Sequence, residues 1–353
     1  MHTVVQSGSV ATGEAAAGAR ARVAVAGATG FTGQELLRLL SRHPAVALAS
    51  AMSSGQTSAS SRRLPALARL WNGSIVPLSF DALASEADVV FLALPDSAAA
   101  ELAPALVDRG VRVIDLSGAF RLRDEAARSR WYPETRKLPA DVAYGLTERE
   151  RGQVARARLV ANPGCYPTAT LLAIAPLVEA GMLLPNTDVI VDAKSGVSGA
   201  GKTPSERTHF SEVHGSMAAY GVFNHRHGAE IEQGAGRTVT FTPHLLPLDR
   251  GILATIYVRV APGTTEEALG EVLEHAYAGA TFVRLVGSAL PEIKHVAHTN
   301  FLRHRLASGP VGPRDSGLGH RQPAEGGVRA GGAEHERDAR ARRADGVAVK
   351  GCA

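Results

Sequence analysis

The sequence predicts an α/β chain: a doubly wound parallel sheet followed by a second, mixed α+β domain. Three observations carry this expectation. RVAVAGA (22–28) is a strand-like run that breaks into a glycine turn and then a helix. Continuously apolar strands alternate with helices as far as residue 165. Beyond that point the chain turns strand-rich. Alternating β and α implies parallel strands with helices on both faces.

The elements follow in order. GQELLRLLSRHP (33–44) sets Leu36, Leu37, Leu39 and Leu40 at helical spacing and ends at Pro44. AVALASAM (45–52) reads as the second strand. ADVVFLALP (87–95) is apolar throughout, as a parallel strand buried on both faces requires. SAAAELAPALVDRG (97–110) follows as a helix and VRVIDLS (111–117) as a strand. In the second domain DVIVDAKSGVSGAG (188–201), RTVTFTPHLLPLDRGILATIYVRVAP (237–262) and TFVRLVG (281–287) are strand-rich, with a helix over 264–279. The expected organisation is a flexible leader (1–20), a dinucleotide-binding domain (21–165), a catalytic and oligomerisation domain (166–301) and a tail without a fold of its own (302–353).

Composition narrows the function classes. The chain of 353 residues holds two cysteines, Cys165 and Cys352, which is no disulfide framework, and a reducing cytoplasm is expected. No run approaches the roughly 18 apolar residues of a membrane span, and residues 1–20 lack the basic start and apolar run of a signal peptide. The net charge of +4 invites a nucleic-acid reading. However, nine arginines and one lysine fall between Leu302 and Ala353, in a stretch with no Phe, Tyr or Trp. The basic balance therefore belongs to the tail, without the aromatic interleaving of a nucleic-acid surface.

Gly27, Gly30 and Gly33 lie between strand and helix in VAVAGATGFTGQELL. That context lets a pyrophosphate approach the helix N-terminus, where N–H groups and the helix dipole favour its charge. The plainer reading is an ordinary βα turn. An NAD site places Asp or Glu after the second strand. Here the stretch is AMSSGQTS, with Ser53 and Ser54. Hydroxyls, with Arg62 or Arg63, suit a 2′-phosphate, so NADP(H) is the expected cofactor.

Cys165 stands in LVANPGCYPTATLLAIAPLV, in a Pro-Gly turn between a strand-like run and a helix. A helix N-terminus favours thiolate and brings backbone N–H groups near a developing oxyanion. A lone buried cysteine is more often an inert hydrophobe. NHRHGAEIEQ (224–233) supplies company: His227 or His225 as acid/base, and Glu230 to orient the imidazole. A metal site would need further ligands that no nearby cluster offers, and none is expected. SGVSGAGK (195–202) suits an anion held by backbone N–H groups. Asp115, Ser117, Arg121, His244 and Arg250 are further candidates, each also explicable as turn chemistry or solvated charge. Tyr-x-x-x-Lys, needed by short-chain reductases that share the GATGFTG opening, does not occur.

Together these strings resemble the N-acetyl-gamma-glutamyl-phosphate reductases of arginine biosynthesis. The resemblance runs in order through VAVAGATGFTGQELLRLL, DVVFLALP, VIDLSGAFRL, YGLTE, ARLVANPGCYPTATLLAIAPL, SGVSGAGK, AYGVFNHRHGAEIEQ and VTFTPHLLPLDRGILATIY, from residue 22 to about 260, and faintly to Asn300. It implies a Rossmann NADP-binding domain and a cytoplasmic homo-oligomer built through the second domain's sheet. It also implies reduction of an acyl phosphate to a semialdehyde through a thioester on Cys165. Candidate catalytic residues are Cys165, His227, His225 and Glu230. Candidate cofactor contacts are Gly27, Thr29, Gly30, Phe31, Thr32, Gly33, Ser53, Ser54, Pro95, Ser195 and Gly196. Candidate substrate and phosphate contacts are Ser117, Arg121, Asn162, Ser198 and Gly199. Lysine-pathway and aspartate-semialdehyde enzymes share the thiol logic and are the alternative substrates, and a catalytically impaired product is the other.

Two departures stand out. Asp96 replaces a family histidine. AHTNF has His298 where the family has glycine, and past Phe301 the resemblance ends. Read one base later, HRQPAEGGVRAGGAEHE (320–336) permits IDNLLKGASGQAVQSMN, a string like the one that closes the family's dinucleotide domain. A one-base frameshift near codon 301 is therefore expected.

Overall fold

The computed structural model describes residues 21–53, 63–287 and 289–307, and the backbone of 346–351. The chain divides into two compact units, Met1–Pro163 and Gly164–Ala353. The expected boundary fell after residue 165; the observed one puts Cys165 at the opening of the second unit.

The first unit contains β1 (Ala21–Ala26), α1 (Phe31–Leu40), β2 (Val46–Ser53), β3 (Ile75–Pro77), α2 (Phe80–Glu86), β4 (Val89–Leu92) and α3 (Asp96–Asp108). It continues with β5 (Arg112–Asp115), α4 (Glu125–Trp131), β6 (Val142–Tyr144), α5 (Thr147–Arg156) and β7 (Leu159–Ala161). Its seven strands are parallel, in the order β3-β2-β1-β4-β5-β7-β6. The order reverses at β1, so the glycine turn leaves the sheet where an open α/β sheet offers a crevice. β1 shows why the run is apolar throughout: Ala24 and Ala26 join one core cluster while Val25 joins the other, so both faces are covered.

The second unit contains α6 (Cys165–Glu179), β8 (Val189–Gly196), α7 (Phe210–Val213), β9 (Ala218–Ala219), α8 (Arg226–Ala235), β10 (Val239–Leu246) and β11 (Ile252–Tyr257). α9 (Glu266–Ala276), β12 (Val283–Leu285), β13 (Leu302–Ala307) and β14 (Gly346–Gly351) complete it. The sheet is mixed, in the order β12-β13-β14-β11-β8-β10-β9. Its axis is α6, buried almost all round from Tyr166 to Leu177 and packed on α8, α9 and β11. β8 buries Val189, Val191, Ala193 and Ser195, while Ile190, Asp192 and Lys194 alternate outward.

One expectation needs correcting. The tail from 302 is not wholly without structure: β13 and β14 pair antiparallel from Arg303–Lys350 to Ala307–Gly346. The alternation in LRHRLA explains β13, since Leu302, His304 and Leu306 point inward. The string at 320–336, for which a shifted reading frame is expected, lies outside the described residues.

Candidate active site

Cys165 is the first residue of α6, behind Gly164 as an extended N-cap. No side chain caps this end, so the helix dipole is left to act on the thiol. The turn is held from α8: the buried Glu230 carboxylate accepts the Gly164 N–H at 2.9 Å. Glu230, expected to orient a histidine, holds the nucleophile's turn by this bond.

His227 lies against the same turn. A Cβ built on Gly164 would stand 2.5 Å from His227 Nε2, so only a glycine admits the imidazole this close. His225 caps α8, its Nδ1 accepting the His227 N–H at 3.1 Å. Burial, with Arg226 adding to it, pushes His225 down to about 4, so its imidazole is neutral near pH 7.

Aromatic rings enclose these histidines, and the sequence reading missed them. Tyr166, Tyr220 and Phe241 lie edge-on to His225 at 5.9, 5.4 and 5.4 Å between centroids. The Tyr166 and Tyr220 hydroxyls are 3.1 Å apart, and burial raises both phenols so that they stay protonated. The signal was present in the tyrosine following Cys165 and in AAYG before the histidine string.

Cys165, Tyr166, Ser195, Tyr220, His225 and His227 line a cavity of about 830 Å³, with Arg207 and Arg226 also on its wall. That is within the size range of small-molecule sites. Gly199 lines it too, and the SGVSGAG loop, expected to hold an anion, uses part of its backbone within the protein. The N–H groups of Gly196, Val197 and Ser198 donate to the carbonyls of Gly251, Leu248 and Asp249. A Cβ on Gly196 would stand 2.8 Å from the Leu248 and Asp249 carbonyls, so this glycine serves close loop packing.

His244 is drawn to Asp192, Nδ1 to Oδ1 at 3.2 Å, where Lys194 also pairs at 2.6 Å. It is not among the residues lining the thiol cavity. Arg250 Nε lies 3.7 Å from Asp249.

In the first unit the polar residues after β5 hold backbone. Asp115 accepts from Ser117 N at 3.0 Å and Ser117 Oγ at 2.7 Å, and burial pushes its carboxyl up to about 6 despite these bonds. Arg121, expected to hold phosphate or carboxylate, is buried and donates to the carbonyls of Asn162 and Leu116 at 2.8 and 2.9 Å. Asn162 N in turn donates to Asp115 O at 2.8 Å. Arg121 thus fixes the strand end that precedes Pro163. Asp96, at the start of α3 behind Pro95, accepts the Gly118 N–H at 2.6 Å.

The glycine turn fits a dinucleotide phosphate. Gly27 has φ +88°, and a Cβ there would meet the Ala93 carbonyl at 2.1 Å. Gly33, in the first turn of α1 with Phe31 and Thr32, would bring a Cβ within 2.2 Å of the Gly27 carbonyl. The N-cap, Gly30, has no Cβ and no side-chain cap bond, leaving this helix end for an anion. Thr29 Oγ1 lies 3.1 Å from Ser53 Oγ, which is buried at the end of β2 rather than spread in a solvated loop. Ser54 and Arg62 lie outside the described residues. Among the described residues no group of three or more His, Cys, Asp and Glu is placed to hold a metal, and no helix is long and apolar enough to cross a membrane.

The chain matches two domain families. "Semialdehyde dehydrogenase, NAD binding domain" covers residues 22–157, and "Semialdehyde dehydrogenase, dimerisation domain" covers 165–311. Aspartate semialdehyde dehydrogenase II from Vibrio cholerae shares the fold, with TM-score 0.63 at 16% identity over 95% of this chain and 93% of that one. The Candida albicans enzyme, solved with NADP, gives 0.60 at 14% identity over 94% and 93%. Sequence relatives are much nearer. N-acetyl-gamma-glutamyl-phosphate reductase from Brevibacillus brevis is 44% identical over 291 residues, covering 79% of this chain and 84% of the relative. The Akkermansia muciniphila enzyme of the same name is 47% identical over 298 residues, with the same coverage. With a cysteine turn, paired histidines and glycine cradle built as described, and identity at this level over most of its length, the chain belongs to the N-acetyl-gamma-glutamyl-phosphate reductase family.

Proposed function

We propose that this chain reduces N-acetylglutamyl 5-phosphate to N-acetylglutamate 5-semialdehyde and phosphate, using NADPH. The observation that carries the reading is the packing of His227 against Gly164, one residue before a cysteine at a helix N-terminus.

The thiolate of Cys165 attacks the acyl carbon. The carbon–oxygen bond to phosphate breaks, phosphate leaves, and a thioester remains on Cys165. The helix N-terminus stabilises both the thiolate and the oxyanion of this step. NADPH, when bound, supplies the hydride that reduces the thioester carbonyl. His227 takes the thiol proton and returns a proton to the oxygen of the thiohemiacetal. That adduct then collapses, releasing aldehyde and restoring Cys165. Neutral His225 holds the first turn of α8 in place. Gly27, Gly30, Phe31, Thr32 and Gly33 would hold the pyrophosphate, and Thr29 and Ser53 the adjacent ribose.

The test is phosphate-dependent reduction of NADP by N-acetylglutamate semialdehyde, beside aspartate semialdehyde. NADP and the N-acetylated substrate are expected to be strongly preferred. Equal or better turnover of aspartate semialdehyde removes the substrate assignment.

We infer a homo-oligomer formed through the outward face of the second sheet, supported by Ile190, 41% exposed between Asp192 and the strand's start. Sedimentation of Ile190→Lys as the same species as the parent overturns that. We also infer the one-base shift near codon 301. His304 supports it: this buried imidazole in β13 has no hydrogen-bond partner at either nitrogen among the described residues. Resequencing the gene across that codon decides it, and an intact frame removes the inference.

A further inference from the structure

The thiol and histidines account for part of the cavity wall. The wall also holds a cation, Arg207, with no assigned task. Arg207 lines the cavity with its guanidinium carbon 5.7 Å from the Tyr220 ring centroid. Tyr220 reaches back through its hydroxyl to Tyr166, the residue after Cys165. One tyrosine ring therefore separates Arg207 from the hydroxyl pair beside the nucleophile.

Arg207 has no carboxylate partner among the described residues, although Glu206 precedes it and Glu212 lines the same cavity. Its short turn, Glu206–Thr208, is fixed by a reciprocal cap between Ser205 and Thr208, so the base of the side chain is anchored. A guanidinium laid on an aromatic face keeps its N–H edge for a planar anion, the geometry that matches a carboxylate fork to fork. The other arginine on the wall, Arg226, sits in sequence between the two histidines.

Resting on the reading of this cavity as the N-acetylglutamyl phosphate site, we propose that Arg207 binds the substrate's α-carboxylate. It thereby selects an acyl phosphate that carries a second anionic group at its far end. Acyl chains without that group bind less tightly, because they lose the ion pair with Arg207. The plainer alternative is a solvated charge, since Arg207 is exposed.

The experiment needs neither cofactor nor turnover. Cys165 is alkylated with neutral iodoacetamide while N-acetylglutamate, or 4-acetamidobutyrate, is titrated in as protector. The two compounds differ only by the α-carboxylate. In the parent chain N-acetylglutamate is expected to protect at roughly tenfold lower concentration, the scale of a partly exposed charged hydrogen bond. In Arg207→Gln the two should protect alike, and Arg207→Lys should fall between. An unchanged preference in Arg207→Gln overturns the proposal and leaves the cavity's assignment standing. Protection by neither compound in the parent overturns the assignment and this proposal with it. An unprotected alkylation rate equal to the parent's shows that each variant is folded.

Discussion

Glu230 and Gly164 are 66 residues apart in the chain and joined by one hydrogen bond, from backbone N–H to carboxylate at 2.9 Å. The acceptor is 1% exposed. A charge-assisted bond in a buried site stabilises by about 1.5–3 kcal/mol, and removing one partner strands the other. Glu230→Ala should therefore lower unfolding free energy by about 2 kcal/mol or more. It should also lower kcat at least tenfold, because the turn that presents Cys165 loosens. Glu230→Gln keeps an acceptor and should lose much less of both. Urea unfolding and steady-state kinetics on the two variants check this.

Gly164→Ala probes the contact with His227 alone. The Gly164 φ of −65° suits any residue, so the only strain is the Cβ 2.5 Å from Nε2. Activity should fall by roughly a hundredfold or more, the scale of a displaced acid/base, while Cys165 remains open to alkylation. Adding His227→Ala should recover stability without recovering activity, a non-additive pair. Additive stability losses would show that the two do not touch.

Acid should destabilise the fold through His304. Burial lowers its pKa to about 3 from the ordinary 6.5, and its ring stacks on Tyr277 at 5.8 Å. The folded chain thus binds fewer protons than the unfolded chain between those values. The neutral imidazole's contribution is complete above pH 6.5 and is lost as pH falls toward 3. His304→Phe keeps a ring on Tyr277 and cannot protonate. Its advantage over the parent should grow by about 2 kcal/mol between neutral pH and pH 5. A constant difference across that range would contradict the assignment. His225, lowered to about 4, adds a slope of the same sign to both proteins.

His298 has φ +63°, in the left-handed region that glycine adopts freely. His298→Gly should therefore stabilise by about 0.5–1 kcal/mol, after glycine's entropy cost is set against the relieved strain. Thermal unfolding of the single variant checks the sign.

β1, β2, β4, β5 and β7, the glycine turn and the Cys-His strings were legible in the sequence because each depends on local pattern, whereas the short strands β3 and β6 were not foreseen. Apolar runs fix buried parallel strands, and a turn that must admit a phosphate or an imidazole needs glycine. The partners were not legible. Nothing local says that Glu230 meets Gly164, that Arg121 spends its donors on Leu116 and Asn162, or that β11's loop consumes the N–H groups of Gly196 to Ser198. Those pairings are made by the tertiary fold. The tail misled for a different reason: its composition argued against structure, while the short alternation in LRHRLA sufficed for an inward-facing strand. His298, with its positive φ, and His304, a buried imidazole, lie near the end of the family match, which runs to residue 311 and so past Phe301, where the resemblance was expected to end.

The most direct test of the account is the covalent state of Cys165. The protein is mixed with N-acetylglutamyl phosphate without NADPH, quenched in acid and its peptides weighed. A single N-acetylglutamyl adduct, removed by hydroxylamine and confined to the peptide holding Cys165, is predicted, and Cys165→Ser should carry no thioester. Turnover without any such adduct, or with the acyl group on another residue, would contradict the thiol mechanism.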